Sequence, residues 1–559
     1  MSNIKKIDFP SAFLATALCA FGLFHEFLAC VSGIVLCIYL LVYTIRKRTI
    51  NVYINLCSGA VLAITVGYLI SIFYAVDKGA TVIGFVKYLP VLLYLLVLMQ
   101  QDKSFEDYLK VIPPIACFMT VVSAVLMQIP VLTSWFSVSG RLAGFFQYAN
   151  TFALFLLVAF IITATKEKLS KIDYLYIAVF VFGILYSGSR TVFVLSIVAL
   201  AAVIIFGKNK KNKIVFISAA LGITAIAFLY AVITDNFDTI GRFMTMSLKE
   251  STFVGRFLYF IDALPVILKH PFGMGYLGYY YTQQSFQTGV YTVKFIHNDF
   301  LQLLLDIGFI PVIIFAASIV RAFLKKGGSI RKRLLILIIT AHCCFDFDLQ
   351  FLAFFMLFVM LLDYKDGMVK EIRISPTFTG LVAAVLSVLF VYIGTSQTFQ
   401  YFRKYDIATK IYPWDTFSQV KILEEADLSE KTKKLSDNII AQNEYIAIAY
   451  NKKAQIAYSQ GDFEKVIEYK KKVAEFSVFS YDTQIEYCYM LINGIYLYTK
   501  NNDDYSINVC QQELIKTVNH IQSSYDRLSE LGKMIDDQPE TQLPEDIMDY
   551  VGRLMNEKS

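Results

Sequence analysis

Thirteen apolar runs restrict this chain to a fold that a bilayer, and not water, would tolerate. They fall at about residues 10–25, 27–45, 53–75, 81–100, 111–128, 147–165, 172–187, 191–206, 214–233, 298–320, 333–345, 349–363 and 376–395. Apolar runs of roughly 18 residues read as spanning helices. Lipid offers the backbone no partners, so helices are the form such runs take. A mean hydropathy of +0.54 with 56% apolar residues agrees. The stretch Ala12 to Ile45, broken only by His25-Glu26, is too long for a signal peptide and lacks a small-residue cleavage site, so it reads as two spans. The runs within 172–206 and 333–363 are short, and are expected as tilted or buried hairpins. The expected fold is all-α, a polytopic membrane bundle over residues 1–395.

Charge orients the bundle. Residues 1–395 carry an excess of 13 positive charges and residues 396–559 an excess of 7 negative ones. The basic residues concentrate in alternate short loops, among them Arg46 to Arg48, Lys166 to Lys171, Lys208 to Lys213 and Arg321 to Arg333. This is a topology signal rather than a nucleic-acid footprint. It places the N-terminus inside and, with an odd number of spans, the C-terminal region outside. Few basic residues fall on the outer side. Arg141, Arg190, Arg242, Arg256 and Lys294 are among them, retained where positive charge is disfavoured, and they point to an anion.

The outer loop 234–296 is long for a connector, and its aromatic-rich composition is not that of a disordered segment. Residues 253–268 are expected to form a helix along the membrane surface, kinked or broken at Pro265. Beyond residue 396 the composition becomes soluble and helical. Residues 454–476 form two short helices around Gly461-Asp462, with Ala454 and Ala457 facing Val466 and Val473, similar to a tetratricopeptide hairpin. A weaker candidate precedes it at 409–437. Such stacked helices suit a protein partner, and a plain helical cap is the alternative. Cys488 and Cys510 could pair there; the other seven cysteines sit in or beside apolar runs and read as small hydrophobes.

Catalytic triads, phosphate loops, dinucleotide fingerprints and Cys/His metal clusters are absent from the sequence. Asp346-Phe-Asp348 is too small a set for a metal cage and is expected as a solvated helix end, with His342, one turn earlier, paired to Asp346. His297 stands apart. It opens the stretch His297-Asn298, followed by residues 299–307 and then Gly308, at the point where the long loop enters a span. Ionisable groups at the mouth of a bundle are functional hypotheses by default.

That stretch resembles the signature of the O-antigen ligase/polymerase family of bacterial membrane glycosyltransferases, with Pro311 a departure from the expected Gly, Thr or Tyr. Three further pieces fit the same family. Gly140-Arg141 through Gly144 to Asn150 is similar to its Arg-x-x-Gly stretch, with Tyr148 where Asn is commoner. Ser187-Gly-Ser-Arg190 is similar to its Ser-Arg turn, and Gly255-Arg256 with Pro271-Phe-Gly273-Met-Gly275 to its loop arginine and glycine-rich turn.

The resemblance implies a GT-C-like bundle in the bacterial cytoplasmic membrane. Its implied reaction moves a glycan from an undecaprenyl diphosphate carrier to a glycan, lipid or protein acceptor outside the cytoplasm, without metal or other cofactor. Arg190 and Arg256, backed by Arg141 and Arg242, would hold the diphosphate, because arginine grips phosphate bidentately and stays charged. His297 would take the proton of the acceptor hydroxyl. Asn298 would orient a sugar or the imidazole, and Asn150 would help bind substrate. The aromatic run 276–281, including Tyr279, reads either as a sugar-stacking surface or as an interfacial belt. A flippase for the same lipid is the alternative function, though the sequence lacks the paired repeats it would favour.

Overall fold

A computed structural model describes residues 8–206, 212–213 and 251–558. The expected span at 214–233, Arg242 and Lys249 lie outside these residues. Among the described residues, the helices Glu26–Lys47, Lys78–Met99, Phe105–Leu126, Ser251–Lys269 and Pro376–Tyr401 are long and apolar enough to cross a membrane. Shorter apolar helices include Phe9–Cys19, Leu56–Ser71, Ala149–Ala164 and Arg190–Phe206. The protein is an all-α polytopic bundle.

The chain divides into two compact units, comprising Met1–Leu69, Ile83–Ser247 and Ile296–Gln397 in the first and Ile70–Val82, Leu248–Phe295 and Thr398–Ser559 in the second. Residues 248–295 group with the C-terminal region in the second unit.

In the first unit Ala149–Ala164 is apolar all round and buried at every position except Asn150, as a central helix must be. Helices Glu26–Lys47 and Pro376–Tyr401 approach closely because small residues face large ones. A Cβ on Gly33 would stand 2.3 Å from the Phe390 ring, and one on Gly394 2.8 Å from Cys30.

The expected single span at 298–320 is instead two helices, Asp299–Ile307 and Phe309–Leu324, broken at Gly308 with φ 77° and ψ −171°. Pro311 falls in the first turn of the second helix, where a missing N–H costs little, so the departure it makes from the family pattern is absorbed by the break. An unforeseen antiparallel ribbon pairs Thr49–Ile54 with Met368–Arg373.

In the second unit, Ser251–Lys269 runs through Pro265 without a break. It buries Val254 and Leu258 against Tyr291 and Ile535 and exposes Phe257, Ile261, Leu264 and Leu268, the two-faced pattern of an interfacial helix. The loop and C-terminal region interlock through backbone. Ser529 N–H donates to Thr288 O at 2.9 Å and Val478 N–H to Gln284 O at 3.1 Å, while Gly289 and Gly532 pack without side chains. The hairpin Ala447–Ser459/Phe463–Phe476 turns at Gly461 (φ 73°) and is capped by Asp462. Ala454, Ala457, Val466 and Val473 are all buried, as expected. A second hairpin, Tyr481–Lys500 and Asp504–Gln522, follows.

Cys488 and Cys510 are buried free thiols, not a disulfide. Burial pushes the Cys488 thiol up to about 12 and that of Cys510 to about 11. In a chain whose other seven cysteines are replaced by Ala, maleimide should leave both untouched in the native protein and label both after denaturation without reductant, read by mass. Labelling that requires reduction first would show that they are paired.

Candidate active site

The first unit gathers four sequence-distant segments around one carboxylate. His297 stands immediately before the helix Asp299–Ile307 and adopts φ 55°, a left-handed conformation unusual outside glycine and asparagine. Asn298 is the N-cap. Its Oδ1 accepts from Phe300 N–H and Leu301 N–H at 3.0 Å each, and its Nδ2 donates to Cys344 O at 2.8 Å. Asn298 thereby ties the helix start to the turn that carries Asp346.

The Asp346 side chain is 1% exposed and the His297 side chain 22%. His297 Nδ1 lies 3.2 Å from Asp346 Oδ1. Tyr148 Oη donates to the same oxygen at 2.8 Å and Phe347 N–H at 3.1 Å, while Asn150 Nδ2 donates to Oδ2 at 2.8 Å. Both oxygens of the buried carboxylate are thereby satisfied. In the tautomer that donates Nδ1–H to Asp346, the lone pair lies on Nε2. Phe347 meets the imidazole edge-on, with ring centroids 5.0 Å apart.

Arg141 belongs to the same network. Its Nη2 donates to Asn150 Oδ1 and its Nε to Ser187 O, each at 2.7 Å. The guanidinium lies beside Gly188, whose φ of 59° makes the turn into Arg190. Arg190 opens the helix Arg190–Phe206 and is half-buried. Of the residues singled out in the sequence, Arg141, Asn150 and His297 are therefore joined through Asp346. Asn298 holds the turn that carries that aspartate, and Arg190 lies in the turn that Arg141 braces.

Arg256 is half-buried in Ser251–Lys269 of the second unit. Tyr279 is also in that unit. It is fully buried, its hydroxyl 3.2 Å from that of Tyr291, which donates to Asp262. Its ring has no open face for a sugar, so Tyr279 is a core residue. Arg242 is outside the described residues.

The sequence expects His342 to pair with Asp346, and the structure pairs it with Asp348 instead. The contact runs from Nδ1 to Oδ2 at 2.5 Å, and Thr151 Oγ1 donates to Asp348 Oδ1 at 2.7 Å. Helical spacing favoured Asp346 for His342, whereas the turn after Cys343 swings it to His297. Tyr148, noted as a departure from the family pattern, is one of the donors to Asp346. Among the described residues, one group has donor atoms spaced closely enough for a metal: Asp299, Cys343 and Asp348, within 4.8 Å of one another. Both Asp348 oxygens already accept hydrogen bonds, so the group is tied into the protein's own network.

The fold and these groups define a multi-pass membrane protein whose polar residues converge at helix ends. A family described as O-antigen ligase matches residues 175–316, a segment that contains Arg190, Arg256, His297 and Asn298, and this match supports an O-antigen ligase/polymerase assignment. No curated protein and no solved structure matches it.

Asp346→Ala would strip the acceptor from His297, Tyr148 and Asn150 together. Glycan transfer per inserted molecule should fall on the order of 100-fold or more, measured as product per unit of membrane-inserted protein. Normal output would remove Asp346 from the site.

Proposed function

We propose that the chain transfers an oligosaccharide from an undecaprenyl diphosphate carrier to an acceptor hydroxyl on the outer side of the bacterial cytoplasmic membrane. The observation that carries this reading is the His297–Asp346 pair, hydrogen-bonded through Asn150 to the Arg141 guanidinium. His297 Nε2 takes the proton of the acceptor O–H while that oxygen bonds to the anomeric carbon. The bond from that carbon to the phosphate oxygen breaks, and the carrier diphosphate leaves with the electron pair. Attack opposite the leaving group inverts the configuration.

Negative charge grows on the diphosphate as the bond breaks, and fixed guanidinium groups aimed at it lower the barrier. Arg190 and Arg141 supply that charge from the first unit. Asp346 keeps the imidazole in the basic tautomer and stabilises the imidazolium that forms, a contribution of the kind worth roughly 10²–10⁴-fold.

Two observations support the orientation. Residues assigned inside contact one another in the first unit. Arg331 Nη1 meets Glu106 Oε2 at 2.6 Å, Lys166 meets Asp173 at 2.6 Å, and Lys325 meets Asp366 at 2.5 Å, while the ribbon joins the loops after Lys47 and before Pro376. Residues assigned outside, namely 70–82, 248–295 and the C-terminal region, share the second unit. The helical hairpins of that region are assigned to a protein partner or to the acceptor.

His297→Ala and Arg141→Ala proteins should insert normally, accumulate lipid-linked donor and lose polymer or conjugate at least tenfold, read by extraction of carrier lipids. A flippase would instead lose donor from the outer leaflet, and normal conjugate from His297→Ala would remove it as the base. A C-terminal reporter active only outside the cytoplasm should be active; a reporter active only inside would reverse the topology.

A further inference from the structure

A string of buried polar groups runs behind His297, and the chemistry above does not use it. Gln302, Asp306 and Tyr68 are 1%, 0% and 0% exposed. Tyr68 Oη donates to Asp306 Oδ2 at 2.8 Å, Gln302 Nε2 donates to Asp306 Oδ1 at 2.9 Å, and Gln302 Oε1 accepts from Ile296 N–H at 3.1 Å. Tyr68 is stacked on Tyr88, centroids 4.4 Å apart. Three polar side chains deep in an apolar bundle are costly unless every link is made, and this string ends on the peptide N–H one residue before the histidine.

His297 needs such a restraint. A left-handed φ at a non-glycine residue persists only when its surroundings hold it. Asn298 fixes the chain after His297 by capping the helix, and Gln302 fixes it before by gripping Ile296 N–H. Gln302 and Asp306 are four residues apart on Asp299–Ile307 and share one face, so the second turn of that helix reaches back to set its own entry. Tyr68, on Leu56–Ser71, anchors the far end, where Gly67 lets Ile307 and Pro311 pack closely (3.1 Å from a Cβ placed there).

We propose that Gln302, Asp306 and Tyr68 are positioning residues for the transfer reaction: a buried hydrogen-bonded strut that holds His297 in the backbone conformation presenting its imidazole to Asp346 on one side and to the acceptor on the other. This rests on the transferase reading above. The strut touches no substrate; it acts through the placement of one ring. Misplacement of a reacting group by about 1 Å can cost on the order of 100-fold.

The test uses purified full-length chain with undecaprenyl diphosphate-linked oligosaccharide, recording kcat, KM for the donor and melting temperature together. Gln302→Leu and Asp306→Leu should lower kcat about tenfold to 100-fold with KM near wild type, a loss larger than any accompanying fall in melting temperature accounts for. Tyr68→Phe, which deletes one hydroxyl, should lower kcat less. Asp306→Asn should restore most of the rate, because its amide can accept from Gln302 and donate to Tyr68. Wild-type kcat in Gln302→Leu, or losses that track a fall in melting temperature and are not rescued by Asp306→Asn, would overturn the inference while leaving the transferase reading intact. A wild-type chain that makes no product would overturn both.

Discussion

A single buried carboxylate organises the membrane unit. Asp346 accepts hydrogen bonds from Tyr148 and Asn150 at the mouth of the central helix and from its own turn, and it sits against His297 Nδ1 at the entry to another helix. Leaving such a group unpartnered in an apolar bundle would cost several kcal/mol. The helix ends that supply its partners are thereby brought together. The site is the place where this demand is met.

The supports around that carboxylate are layered. Asn298 caps its own helix and binds Cys344 O, joining the histidine's segment to the aspartate's. His342, Thr151 and Asp348 form an adjacent buried set that fixes the other side of the same turn. Arg141 braces the Ser187 carbonyl and Asn150 at once, so a cation for the proposed diphosphate is held by the same network that orients the proposed base.

Much of this was legible in the residues, and what was not has physical reasons. Apolar period and length located most of the described apolar helices of the first unit, because a lipid-facing helix has few sequence alternatives. The break at Gly308 escaped because glycine inside an apolar run signals close packing as often as a turn. The ribbon between 49–54 and 368–373 escaped because strand pairing across three hundred residues leaves no local trace. His297, Asn150 and Arg141 stand out by motif spacing, whereas the carboxylate that His297 and Asn150 share does not: Asp346 and Asp348 are two residues apart, and only the turn geometry decides which histidine each one meets. Tyr279 shows the reverse error, since an aromatic run has the same composition whether it faces a ligand or fills a core. The grouping of residues 248–295 with the C-terminal region depends on backbone contacts such as Thr288 with Ser529, which no composition shift announces.

In the proposed reaction an aspartate-held imidazole activates the acceptor directly, with no covalent glycosyl-enzyme stage. The anomeric configuration of product made by purified chain from a lipid-linked donor of known configuration, assigned by NMR, tests it most directly. Inversion, with one carrier diphosphate released for each bond formed, is the expected result. Retention of configuration would demand an enzyme nucleophile and would contradict the account.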